Sequence, residues 1–173
     1  MAVDAGAHII NDIWGLQRED GIARLAARSG CGLVSMHNGR ERDKLPDPID
    51  DQLTFFRRSL EIARAAGVQD DAVVLDPGFG FAKDHDENIE IIARFGELLR
   101  LGYPMLVGTS RKRFLGHVTG RPVDQRDTAT AVSSAILRLR GASIFRVHDV
   151  AASVDALKLA DAILRSEGGS QTS

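Results

Sequence analysis

The stretch Ala72–Asp84, AVVLDPGFGFAKD, decides the fold. Four apolar residues, Ala72 to Leu75, run into Asp76; Pro77 follows, and Gly78 and Gly80 bracket Phe79. A short apolar run bounded by turn residues reads as a buried strand. A strand apolar on both faces belongs to a parallel sheet covered on both sides. Asp76 then stands where the strand leaves the sheet, and Pro77 turns the chain. Gly78 and Gly80 let backbone and ligand approach closely because no Cβ intervenes. Phe79 and Phe81 alternate, so one can line a site while the other packs beneath it.

Working outward, similar strand-like segments lie at His8–Asp12, Gly32–His37, Met105–Gly108 and Ile144–His148. Helical patterns separate them: Asp20–Ser29, Pro48–Ala66, Glu87–Leu101, Asp127–Arg140 and Ser153–Leu164. Asp47 can cap the second helix, and Pro48 suits its first turn. Phe56, Leu60 and Ala63 share one of its faces, and Val132, Ala135, Ile136 and Leu139 form the apolar stripe of the fourth. Gly39–Asp47 and Arg113–Arg126 read as long polar loops, and 167–173 as a flexible tail. Alternating strands and helices imply parallel strands with helical crossovers, an α/β fold in one domain over 1–166.

The chain has 173 residues, 43% hydrophobic, with a net charge of -2. That charge offers no attraction to nucleic acid or to an anionic membrane. One cysteine, Cys31, excludes an intrachain disulfide and reads as a small buried thiol. No apolar run reaches the roughly 20 residues of a membrane span, and Met1 onward reads without a secretory leader. A reducing cytoplasm fits these features.

Every strand turns polar at its C-terminal end: Asn11-Asp12, then Met36-His37-Asn38, Asp76, Ser110-Arg111-Lys112, and Arg146 with His148 and Asp149. In parallel α/β proteins this edge binds ligands. Singly, each residue has a plainer reading as a turn former, cap or surface group; His37 alone reads as a structural histidine and Asp149 as a structural carboxylate. Together they form a rim. Arg146 and His148, two apart on a strand, face the same way and suit an anion. Ser110 and Lys112 share that spacing. Asn11 offers a donor and an acceptor, and ionised Asp76 offers acceptors only, so with Lys112 they can read the edge of a flat heterocycle.

In this order and spacing IINDI, SMHN, LDPGFGFAKD, GTSRKRF and FRVHDVAA resemble dihydropteroate synthase, from near residue 4 to near residue 165. The resemblance implies a (β/α) TIM barrel. It implies a transferase of folate biosynthesis, the target of sulfonamides, that joins 6-hydroxymethyl-7,8-dihydropterin pyrophosphate to p-aminobenzoate and releases pyrophosphate with Mg²⁺ assisting. Asn11, Met36, Asp76 and Lys112 would bind the pterin, with Asp76 and Lys112 as the catalytic pair. Arg146 and His148 would hold pyrophosphate. Phe81, Lys83, Ser110 and Arg111 would border the p-aminobenzoate pocket. A homodimer is expected, because the family is commonly dimeric and TATAVSSAI offers a small-residue helix face.

The departures are as informative. A TIM barrel has eight strands in about 250 residues, and only five are read here. The first three units are expected to be missing, and with them a mobile loop, a further pterin-binding aspartate and the Mg²⁺ ligand. Ala82 stands where the family often has glycine. The chain is therefore expected to be a fragment, with weak or no turnover alone and two sheet edges left open. Two other readings remain: another pterin-binding barrel, such as a methyltetrahydrofolate methyltransferase, and an inactive fragment or paralogue that binds without turnover.

Overall fold

The computed structural model describes residues 2–19 and 21–169. Five parallel strands, β1 (Ile9–Asp12), β2 (Gly32–Met36), β3 (Val73–Asp76), β4 (Leu106–Val107) and β5 (Ile144–Phe145), alternate with helices α1 (Gly21–Ser29), α2 (Pro48–Ala65), α3 (His85–Ala93), α4 (Arg113–Thr119), α5 (Asp127–Leu139) and α6 (Val150–Gly169). β1, β2 and β3 form one sheet, and β4 pairs with β5 in another. A single parallel bridge, Leu75 to Met105, links the two. The fold class is α/β with parallel strands, as expected. Among the described residues these strands do not close into a barrel.

The register sets the rim. Met36 lies opposite Asp76, and Asn11 opposite Val34. The main-chain N–H of Arg146 donates to the Val107 carbonyl, 2.9 Å away, which brings the end of β5 beside that of β4. β4 is short because Pro104, just before it, has no N–H to give and Gly108 follows Val107 directly. Beneath the rim, Leu33, Leu75 and Met105 pack with Ile49, Phe56 and Phe95, all fully buried. Cys31 is buried at the start of β2, its thiol 3.4 Å from the Ala7 carbonyl.

Local chemistry explains most helix ends. Asp47 accepts the N–H groups of Ile49 and Asp50 at the start of α2, where Pro48 needs no partner. Phe56, Leu60 and Ala63 are buried, as their spacing requires. α3 starts at His85 rather than Glu87, because Asp84 and Glu87 form a reciprocal capping box. Asp149 accepts the Ala152 N–H and so serves the first turn of α6, which starts before Ser153.

Several boundaries correct the reading from sequence. The helix expected over Glu87–Leu101 breaks after Ala93, and Phe95–Leu101 winds as a 3-10 helix. Gly96 weakens a helix interior, and the tighter winding still buries Phe95 and Leu98. The loop expected over Arg113–Arg126 contains α4, whose Phe114 and Leu115 are buried. Seven residues with two inward apolar positions carry too little periodicity to be read. On α5 the expected face is reversed. Thr130, Ser133, Ser134 and Leu137 are buried, while Val132, Ile136 and Leu139 stay exposed. Small side chains are what a closely packed α5 admits, and Arg138 fixes it to α6 through Asp161 at 2.6 Å. α6 continues to Gly169, three residues into the expected tail. The rest of that tail, and the expected helix start at Asp20, lie outside the described residues.

Candidate active site

Asp76 ends β3 with 1% of its surface exposed. One carboxylate oxygen accepts the Gly78 N–H at 2.8 Å, and the other accepts Nη2 of Arg146 at 2.9 Å. Arg146 also donates through Nη1 to Oδ1 of Asn11, 3.1 Å away. Three strand ends thus converge on one guanidinium. Burial raises the Asp76 pKa, and the Gly78 N–H and Arg146 act against that rise. Gly108 leaves room for the arginine, since a Cβ there would stand 3.1 Å from Nη2.

Lys112 lies on the same rim. Its ammonium is 4.6 Å from the centroid of the Phe81 ring, and its stem passes Gly80, where an added Cβ would come within 3.3 Å. Partial burial lowers its pKa, and the Asp76 charge opposes that shift. Arg40 approaches the same ring at 5.6 Å. Phe79 instead packs inside against Phe114, with ring centroids 6.0 Å apart. The two phenylalanines therefore divide as their alternation implies.

Ser110 and His148 meet across β4 and β5, Oγ to Nδ1 2.8 Å. Met36 is fully buried below the Asp76 turn, and a Cβ on Gly78 would come 3.2 Å from its Cγ. Arg111 adopts φ of 57° and binds Asp127 with both arms of its guanidinium, each bond 2.8 Å. Lys83 lies beneath the glycine loop. It donates to the Gly78 and Phe81 carbonyls and to Nδ1 of His37, at 3.0, 3.3 and 2.9 Å. Burial brings its pKa down to about 7 against the pull of Asp76. With Lys83 donating to Nδ1, His37 presents Nε2–H to Asp51, 3.0 Å away. Burial holds His37 neutral, its pKa brought down to about 3. Burial also works to raise Asp51, but bonds from Arg42 and His37 outweigh it and keep the carboxyl ionised.

Other contributors escape a reading by position. Asn88, buried inside α3, accepts the Gly80 N–H at 2.8 Å and fixes the loop. Asp51 and Arg42 enter through His37. Asp12 folds back on the N–H groups of Trp14 and Leu16. Only Asp12 carried a sequence signal, its place at a strand end.

Such a rim, with a buried carboxylate, an amide, a basic pair and an aromatic wall at the C-terminal ends of parallel strands, has the chemistry to hold a small polar ring beside an anion. The profile of the pterin binding enzyme family matches residues 1–148. The chain is 41% identical over 167 residues to the dihydropteroate synthase of Bacillus subtilis, with 96% of this chain and 58% of that protein covered. It is 38% identical over 166 residues to the dihydropteroate synthase of Clostridium beijerinckii, covering 95% and 61%. A crystal structure of Clostridium difficile dihydropteroate synthase, solved in the presence of pteroic acid, superposes with a TM-score of 0.90 at 36% identity, covering 94% of this chain and 62% of that one. The chain belongs to the pterin-binding enzyme family. It spans about three fifths of the length of these relatives.

Proposed function

We propose that this chain carries the pterin and pyrophosphate half of a dihydropteroate synthase site. The observation that carries the reading is the array Asp76–Arg146–Asn11, with Lys112 on the same rim. The substrates would be 6-hydroxymethyl-7,8-dihydropterin pyrophosphate and p-aminobenzoate. Asn11 and Asp76 would bond the pterin edge, Lys112 its carbonyl side, and Met36 would support the ring from below. Arg146 and His148 would hold pyrophosphate; a pterin-binding methyltransferase would have no such anion to grip. Phe81 would offer its face to p-aminobenzoate. Lys83, Ser110 and Arg111 would back that pocket, each already engaged by a protein partner.

In this reading the methylene C–O bond breaks and its electron pair leaves with pyrophosphate. Positive charge develops on the pterin, where the Asp76 carboxylate stabilises it, and Arg146 and His148 receive the anion. The uncharged aniline nitrogen forms the new C–N bond and then loses a proton. A covalent enzyme intermediate is not required.

The Mg²⁺ would be held by residues outside those described, as the resemblance implies. Among the described residues no three His, Cys, Asp or Glu side chains gather as a metal site, and Asp76 is already taken by Gly78 and Arg146.

We further infer that the five strands belong to an eight-stranded barrel. In support, Ile9 on β1 is 65% exposed and Ile144 on β5 40% exposed, each on an edge strand. A homodimer is proposed on an apolar groove of about 720 Å³ between α3, α4 and α5, lined by Ile89, Ile92, Val118, Val132 and Ile136. No helix among the described residues is long and apolar enough to cross a membrane; the unpaired Cys31 suits the proposed cytoplasmic setting.

The test is calorimetry of the purified chain with dihydropterin pyrophosphate, alongside incorporation of labelled p-aminobenzoate and methyl transfer to a corrinoid. Binding with weak or no turnover alone is expected. Absence of binding overturns the reading, and methyl transfer replaces it.

A further inference from the structure

We infer that Ser110 is a positioning residue that fixes the tautomer of His148, with the ring proton on Nε2. Ser110 is 6% exposed, so its hydroxyl hydrogen has little access to water. A serine hydroxyl has one hydrogen to give and two lone pairs that accept. One lone pair receives the main-chain N–H of His148 at 3.1 Å. The same oxygen lies 2.8 Å from Nδ1 of that residue. Among the described residues the hydroxyl hydrogen has no other acceptor than Nδ1.

The alternative leaves a donor stranded. If Nδ1 carried the proton, Oγ would accept twice, and its own hydrogen would be buried without a partner. A buried unsatisfied donor is costly, whereas the bond to Nδ1 satisfies both groups. Ser110 therefore gives, Nδ1 accepts, and the neutral ring keeps its proton on Nε2. That nitrogen has no partner among the described residues, and His148 is exposed. An N–H is thus held ready for an anion on the rim, two residues from Arg146. The opposite tautomer would present a lone pair there and repel the anion. The arrangement assigns Ser110 to the anion side of the site, while Lys112, two residues on, lies over the Phe81 ring.

The claim about the tautomer stands on the free protein. Its consequence for pyrophosphate rests on the function proposed above. The experiment is two-bond ¹H–¹⁵N correlation on histidine-labelled protein, with the ring neutral and its signals assigned by loss in His148→Gln. Pyrophosphate titration is run on the same samples. The native protein is expected to show Nε2–H, and Ser110→Ala a mixture of tautomers with pyrophosphate affinity down about fivefold, the worth of one ordinary hydrogen bond. Ser110→Thr, which keeps the hydroxyl, should restore both. Nδ1–H in the native protein overturns the inference, and needs no variant to fold. An unchanged ring in Ser110→Ala overturns it too. Nε2–H without pyrophosphate binding upholds the positioning and overturns the anion-binding role instead.

Discussion

Arg146 donates to the carboxylate of Asp76 from 70 residues away, joining the end of β5 to the end of β3 at 2.9 Å. The pair is lopsided: the Asp76 side chain is 1% exposed and that of Arg146 is 49% exposed. The aspartate depends on its partners for charge compensation, while the arginine can reach water. Arg146 is therefore able to turn toward an anion without itself being stranded, provided another group approaches Asp76. A cationic pterin ring is such a group.

Changing this pair should separate binding from stability. Asp76→Asn should weaken pterin pyrophosphate binding at least tenfold, about 1.4 kcal/mol, measured by calorimetry. Arg146→Met leaves the buried carboxylate with only the Gly78 N–H. It should cost about 1–2 kcal/mol in urea denaturation, less than a fully buried pair because the arginine is half exposed.

Gly78 is the residue of the loop least open to substitution. Its φ is 64°, and a Cβ would fall 2.1 Å from the His37 carbonyl oxygen, which belongs to the neighbouring main chain. Gly78→Ala should destabilise by at least about 2 kcal/mol, from the left-handed conformation and the clash together. The shift in urea midpoint measures it.

Acid should loosen the loop's foundation through His37. Its folded pKa is about 3 against an ordinary 6.5, so between those values the unfolded chain binds more protons. Stability therefore rises with pH across that window and falls on acidification, with a slope of at most about 1.4 kcal/mol per pH unit from one group. Asp51, held ionised by Arg42 and His37, adds loss in the same direction below its ordinary value. His37→Gln should flatten the profile of urea midpoint against pH in this range.

Lys83 acts in a separate window. Its folded pKa of about 7 lies below the ordinary 10.5, so between the two the unfolded chain binds more protons and stability should rise with pH. Lys83→Met should remove that rise. It should also free the Gly78 and Phe81 carbonyls, seen as faster amide exchange through residues 78–81.

The exposed stripe of α5 should govern association. Val132→Asp with Ile136→Asp places charge in the apolar groove and should give a monomer by light scattering at concentrations where the unchanged chain is a dimer. Val132 is 54% and Ile136 38% exposed, so the double change should cost folding stability about 1–2 kcal/mol, measured by urea denaturation.

The rim was legible because each of its residues sits at a fixed offset from a local apolar run. Asp76 follows three residues of β3, and Arg146 follows β5 directly. The Asp47 cap and the Phe56–Leu60–Ala63 face were legible for the same reason, as was the rim's resemblance to a known family. α4 was not, since two buried residues make no pattern. The inward face of α5 was not legible from its apolar stripe, because close packing of the helix selects serine and threonine there.

The sequence by itself determined the alternation of strand and helix and which kinds of side chain stand at the strand ends, because both follow from residues a few places apart. Only the tertiary structure decided which of those side chains meet. Asn11 and Arg146 are 135 residues apart, and Ser110 and His148 are 38 apart. Such pairs are set by sheet register and by the crossovers between strands, so they acquire partners only when the whole layer packs and water leaves the space between them.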